Sequence, residues 1–331
     1  VPRVKSGAAV KALRHGALLS ATGPVETAVV AHTHRRPLGE SEHALFPLIL
    51  DVAAVGREDG AALLERFAAW GGNGVVVTDS ASSAAGETVA GDWLAGHRDR
   101  DRFLFIGRFG APALAAATPQ LLVTRIEDVL RRLRTDRLEV LAVRPDGAGR
   151  LDELLSAAEV LLARGLVRTV VASDFAAEQL FEARVLAAHG LPRFCAVELR
   201  YNLLERQEAE GDLGLVAAGQ GLSLLSSVPL AHGFLRGIER TRRELARLPE
   251  GDLAAAYVGR HGRRMLAALD AIGSELSAAP AAVALAWLLA RPHLAAATVA
   301  PRSPADVDAF MRAVSLTLDA GHVAALDRAR R

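Results

Sequence analysis

Residues 138–173 read LEVLAVRPDGAGRLDELLSAAEVLLARGLVRTVVAS, and two periodicities in this stretch decide the fold. The run Leu138 to Val143 is apolar at almost every position, as in a strand covered on both faces of a parallel sheet. Next, Leu151, Leu154, Leu155, Ala158 and Leu162 recur every three or four residues, the stripe of a helix that buries one face. Gly165 is a C-terminal stop for that helix, and a second apolar run, Arg168 to Ser173, follows at once. The unit is strand, helix, strand. Upstream, similar runs occupy Thr27 to Thr33, Asn73 to Thr78 and Phe103 to Gly107; downstream, they occupy Phe194 to Leu199, Leu222 to Ser227 and Ala296 to Ala300. Between the strands lie further helical stripes, such as Leu122, Ile126, Val129 and Leu133 behind the start pair Thr118 and Pro119. Eight such units predict a closed (β/α)8 TIM barrel, with its chemistry at the C-terminal ends of the strands. The competing reading is an open, doubly wound sheet, but no Gly-x-Gly-x-x-Gly turn follows the first strand.

The chain has 331 residues, enough for one such barrel over 1–331, and no internal linker or low-complexity segment divides it. With 51% hydrophobic and 23% charged residues and a formal charge of +1, it is neither a disordered chain nor a general nucleic-acid binder. Cys195 is the single cysteine, so no internal disulfide forms. The longest apolar stretch, Ala278 to Ala290, is interrupted by Pro280 and is too short to span a bilayer, so no membrane association is expected. The first twenty residues lack a sustained apolar segment, and the expected location is cytoplasmic. Lys5 and Lys11 are the only lysines among 39 Lys and Arg residues, and Tyr201 and Tyr257 are the only tyrosines. The middle of the chain therefore has no amine, and hardly a phenol, for acid–base work. The longest departure from the barrel rhythm is Ala231 to Ser277, an extended, arginine-rich loop after the seventh strand.

Several strand ends resemble the aldo-keto reductases. Val75 to Ala81 resembles that family's second-strand signature, Leu133 to Asp146 its fourth-strand region and Gly165 to Phe175 its fifth. Val197 to Leu204, with Tyr201 and Asn202, is similar to the sixth, and Val228 to Gly237 to the Pro-Leu-x-x-Gly-x-Leu-x-Gly element after the seventh. Ala286 to Leu289 and Arg302 to Val307 resemble the final helix–strand–helix segment. These matches run in family order from Gly72 to Asp308, and the region Leu18 to His34 is where the resemblance puts the opening hairpin and first strand. The resemblance implies hydride exchange between NADP(H) and a carbonyl or alcohol, catalysed by an Asp, Tyr, Lys and His set. Asp79 takes the aspartate position; the tyrosine position falls near Ala84, Arg108 stands for the lysine and Arg144 for the histidine. The catalytic candidates are thus Asp79, Arg108 and Arg144, a degenerate set. An arginine stabilises an oxyanion but, with a pKa above about 12, is a poor proton donor near neutrality.

The cofactor candidates implied by the same resemblance are Ser173, Asp174 and Glu198 at the nicotinamide amide, and Ser227 at its ring face. Arg302 and Ser303 lie at the adenosine phosphate, where the start of the helix beginning at Pro304 offers backbone N–H groups. Phe310 takes the approximate place of an asparagine near adenine. Carboxylates at 174 and 198 accept but do not donate hydrogen bonds. Drawn to one mouth, Asp79, Arg108, Arg144, Asp174 and Glu198 form either an internal salt-bridge network or a cradle in which Arg108 and Arg144 bridge an anionic ligand. His32 and His34 share a strand face and open a metal-site alternative like that of the amidohydrolase barrels, but the further histidines it needs are lacking and no metal is expected. His232 reads as a surface or helix-capping residue and Cys195 as a small core residue. The leading expectation is an oxidoreductase on a small-molecule substrate. The alternatives are a noncatalytic barrel, a possible pseudoenzyme, binding a small anionic metabolite or a partner, and a non-redox or metal-assisted enzyme. Substrate and oligomeric state are not legible.

Overall fold

Eight parallel strands close into a ring in the computed structural model, which describes residues 35–54, 59–78, 81–97, 100–109, 119–145, 150–248 and 250–330. A two-stranded antiparallel hairpin, β1 (Arg36–Pro37) and β2 (Ala44–Leu45), precedes the ring. The barrel strands are β3 (Leu48–Asp51), β4 (Gly74–Thr78), β5 (Leu104–Phe109), β6 (Leu138–Val143), β7 (Val167–Ser173), β8 (Phe194–Leu199), β9 (Ser223–Ser226) and β10 (Leu294–Val299). β10 pairs with β3 to close the ring, Thr298 lying opposite Ile49.

Seven strands fall where the sequence predicts them, and the first does not. Thr27 to Thr33 lies outside the described residues, and Leu48–Asp51 fills the place between β10 and β4. The hairpin likewise lies at Arg36–Leu45, beyond the Leu18 to His34 region. With four residues, Leu-Ile-Leu-Asp, β3 is too short to show a period, and it is buried at its first three positions.

Period-two alternation splits the strand side chains into two sets. Ile49, Val76, Ile106, Ala142, Val171, Ala196 and Ala296 pack inside the ring, whereas Leu48, Leu50, Val75, Leu141, Ala172 and Val197 pack against the surrounding helices. The same alternation, continued two residues toward each C-terminus, puts Asp51, Thr78, Arg108, Arg144, Ser173, Glu198 and Thr298 at the inner mouth.

The hairpin plugs the opposite end. Leu38 and Leu45 are fully buried against the inner layer, the Gly39 amide donates to Ser223 Oγ at 2.9 Å, and Arg36 Nη1 donates to the Leu294 carbonyl at 2.8 Å. Asn73 ties the hairpin to the ring, its Oδ1 accepting from the Phe46 amide at 2.7 Å.

The predicted loop after the seventh strand is a chain of short helical turns, Ala231–Arg236, Arg242–Leu245 and Gly251–Ala255, ending in the long helix Arg260–Leu276. Helix Pro280–Leu289 is buried along almost its whole length, and Trp287 lies between the guanidinium groups of Arg206 and Arg291, 4.0 and 4.5 Å from its ring. No single helix among the described residues is long and apolar enough to cross a membrane; Arg260–Leu276 and Pro280–Leu289 pass that test only together, bent by 95°.

Candidate active site at the barrel mouth

Arg108, at the end of β5, reaches across the ring to Glu198 on β8. Nε donates to Oε2 at 2.9 Å and Nη2 to Oε1, a two-pronged pair. Ser173, the last residue of β7, donates its hydroxyl to the same Oε2 at 2.9 Å, and Thr298 Oγ1 lies 3.4 Å from Arg108 Nη2. The Glu198 side chain is 3% exposed and that of Arg108 23%. Nearer the rim, Arg144 pairs with Asp174 at 2.5 Å, with both partners partly in solvent. Asp174 has φ +52, and its amide donates to the Glu198 carbonyl at 3.0 Å.

The charges at this mouth are coupled. Burial pulls the Arg108 guanidinium down, but Glu198, then Asp51 and Asp174, outweigh it, so the group is held above its ordinary value. Burial pushes the Asp51 carboxyl up; the Ala53 amide and Arg108 oppose that, while Glu250 and Glu198 add to it. Burial raises Glu208 as well, with Asp174 reinforcing it. Carboxylates outnumber guanidiniums here, so an anionic ligand lying between Arg108 and Arg144 would displace carboxylates already bound to both.

Neither tyrosine offers its proton to this mouth. Tyr201 donates to Glu210 at 3.0 Å and packs edge-on against Trp287, in the layer outside the ring. Tyr257, on the long loop, donates to Glu205 at 2.7 Å and accepts from Arg200 at 3.1 Å; burial, and then Glu205, push its phenol up to about 12.

A second polar cluster forms at the start of helix Pro304–Met311. Ser303 caps it, its Oγ accepting from the Asp306 amide at 3.2 Å. Arg302 donates its amide to Asp306 at 2.8 Å and its guanidinium to Glu239 at 2.9 Å, while Arg236 reaches Asp306 at 2.7 Å. Arg236 Nη1 and Glu239 Oε2 are buried with no hydrogen-bond partner. Phe310 is buried beneath, its ring 6.0 Å from the Arg236 guanidinium. Ser227, behind β9, donates to the Leu199 carbonyl at 3.2 Å.

His232 corrects the expectation of a surface or capping residue. Its side chain is 8% exposed, and Nδ1 lies 2.7 Å from Glu250 Oε2. It sits in the 3-10 turn that follows β9, and its partner is eighteen positions away on a loop without periodicity, so no spacing rule joins the two. Cys195 is buried as expected, and burial pushes its thiol up. Asp79, His32 and His34 lie outside the described residues. Among the described residues, no group of three or more His, Cys, Asp or Glu is arranged to hold a metal ion.

The sequence pattern of the aldo/keto reductase family matches residues 51–331. The chain belongs to that family. Among its curated relatives are the uncharacterized oxidoreductase YrpG of Bacillus subtilis, 31% identical over 59% of this chain and 59% of that protein, and norsolorinic acid reductase stcV of Emericella nidulans, 26% identical over 71% and 62%. The chain thus spans about three-fifths of the length of each. Tm1743, a thermostable aldo-keto reductase solved with the inhibitor epalrestat, superimposes with a TM-score of 0.71, covering 89% of this chain and 99% of its own at 21% identity. In this aldo/keto reductase barrel, the position that the resemblance gives to the lysine carries the Arg108 guanidinium bound to Glu198, and the position given to the histidine carries Arg144 bound to Asp174.

Proposed function

We propose that this chain is an oxidoreductase that binds NADP(H) along the barrel mouth and acts on a carbonyl or alcohol without the tyrosine-centred proton transfer of its family. Family membership and relatives named as an oxidoreductase and a reductase support the class. The observation that carries cofactor binding is the orphaned, buried Arg236 Nη1 beside Arg302 at a helix N-terminus. Such a donor is costly to leave unmet, and a phosphate oxygen fits it. Arg236, Arg302 and the Ser303 turn would hold the adenosine phosphate. At the other end, Glu198 accepts three hydrogen bonds, leaving about one of its four lone-pair sites for the amide N–H of a nicotinamide.

A bound nicotinamide supplies or receives hydride. The residues of the chain then have two tasks: to hold the substrate oxygen and to manage its proton. The Arg108 guanidinium stays charged and stabilises negative charge developing on that oxygen, but its pKa is too high for it to be the acid. Asp79, Arg108 and Arg144 would therefore form a degenerate tetrad.

A noncatalytic reading is favoured by one observation: Arg108, Glu198 and Ser173 already satisfy one another, as a structural network does. Titrating the purified protein with NADPH and NADH, with and without a panel of aldehydes and ketones, separates the readings. The proposal expects tighter binding of NADPH and carbonyl-dependent loss of it. Arg302→Ala should weaken NADPH about tenfold, the loss of one charge-assisted hydrogen bond of about 1.5 kcal/mol, and leave NADH unchanged. Binding without turnover would favour the noncatalytic barrel, and no binding of either cofactor at high micromolar concentration would overturn the cofactor reading.

A further inference from the structure

We propose that His232, oriented by Glu250, is the residue that exchanges a proton with the substrate oxygen in this barrel. The inference rests on the oxidoreductase reading above.

The turn carrying His232 follows β9 on the C-terminal side, where the barrel gathers its chemistry. Ala231, His232 and Gly233 hold φ values of +50, +55 and +95, and Glu250 across from them holds +58. Non-glycine residues in this region are strained and persist where surrounding structure imposes them, often at ligand-binding sites. Here they aim both ends of one hydrogen bond.

That bond fixes the imidazole. With Glu250 accepting from Nδ1–H at 2.7 Å, Nε2 is the nitrogen left to gain or lose a proton. It is buried and has no hydrogen-bond partner, the state of a group whose partner arrives with the ligand. The dyad also lies in the electrostatic field of the mouth. Its hydrogen bond to His232 holds the Glu250 carboxyl below the usual range, and the charges of Arg108 and Arg200 add to that. On its other side, the turn approaches the phosphate cluster, where a Cβ on Gly233 would lie 3.4 Å from Arg302 Nη2. The turn that carries His232 thus borders the phosphate cluster, and its partner Glu250 feels the charge of Arg108 at the mouth.

Arg108 does not give up a proton near neutrality, Ser173 donates to Glu198, and Tyr257 donates to Glu205. In carbonyl reduction, the Nε2–H bond of the imidazolium breaks and an O–H bond forms on the substrate oxygen. The nitrogen keeps the electron pair, and neutral imidazole remains on Glu250. The two electrons that reduce the carbon come as hydride from the reduced nicotinamide cofactor, and alcohol oxidation reverses each transfer.

The test uses the full chain. His232→Gln should bind NADPH within about twofold of wild type while aldehyde reduction falls by at least about a hundredfold, the usual span for a lost general acid. Glu250→Gln, changed at a side chain that is 64% exposed, keeps the fold and should lower turnover about tenfold. Independently of turnover, long-range 1H–15N spectra should show Nδ1 protonated throughout and Nε2 shifting when benzyl alcohol joins NADP+. NADP+ binding with Nε2 unmoved, or wild-type turnover in His232→Gln, would overturn the role of His232 alone. Wild-type protein that binds no NADP(H), or binds it without turnover, would overturn the oxidoreductase reading and this proposal together.

Discussion

Asp51 and the Arg108–Glu198 pair meet at one end of the barrel, yet they call for opposite mutations. Burial raises the Asp51 carboxyl above its ordinary 3.8, so the folded chain holds that proton at a pH where the unfolded chain has lost it. By linkage, stability falls as pH rises from 3.8 through the raised value. Asp51→Asn removes this penalty; in urea unfolding it should match wild type near about pH 3.5 and be the more stable of the two at about pH 7. The neighbouring pair behaves the other way. Arg108→Ala leaves the buried Glu198 charge without its bidentate partner and should cost about 3 kcal/mol, whereas Arg108→Met with Glu198→Leu, which removes both charges, should cost much less. Equal midpoints for the single and double variants would show that the pair carries no such coupling. Arg108, Ser173 and Glu198 are legible in sequence because the family resemblance marks positions at the ends of recognisable strands, and the period of two explains why those positions face inward. The pairing itself is not, since it joins residues ninety positions apart, and the His232–Glu250 contact arises from loop geometry that no periodicity records.

Elements announce themselves in proportion to their length. β6, β7 and β8 carry six or seven residues each, and their apolar runs mark their bounds to within a residue, as the stripe of the helix Leu151–Ala163 does with its stop at Gly165, φ +70. β3 has four residues and the hairpin strands two, too few to display a period, whereas the longer β-branched run Thr27 to Thr33 upstream carries the stronger strand pattern. What marks the hairpin is its turn. Gly39 has φ +55, and a Cβ there would lie 1.9 Å from the Cys195 carbonyl oxygen, a backbone atom that cannot step aside. Gly39→Ala therefore combines an unfavourable backbone angle with a clash against β8, and should lose more than about 1 kcal/mol of stability in equilibrium unfolding. A milder effect would mean that the hairpin docks loosely on the barrel floor. Because the cost falls at the end opposite the mouth, NADPH affinity measured on the folded fraction should stay at its wild-type value.

At the scale of the molecule, the ring separates a floor held by the hairpin from a mouth crossed by ion pairs. Ligand linkage tests that division without knowledge of the substrate. A molecule that binds the folded barrel and not the unfolded chain stabilises it by RT ln(1 + [L]/Kd), about 2.7 kcal/mol at a hundredfold excess over Kd. NADPH at that excess should therefore raise the urea midpoint of wild type and leave the slope m unchanged, because the surface exposed on unfolding is set by the closed ring. Arg302→Ala should unfold at a lower midpoint than wild type when no cofactor is added, since it leaves the largely buried Glu239 carboxylate without its guanidinium partner. At the same NADPH concentration its midpoint should rise less than that of wild type, as a tenfold weaker Kd cuts the linkage by about 1.3 kcal/mol. An equal rise in both proteins would place the phosphate away from helix Pro304–Met311, and a change in m would mean that the cofactor alters the folded barrel as well as binding to it.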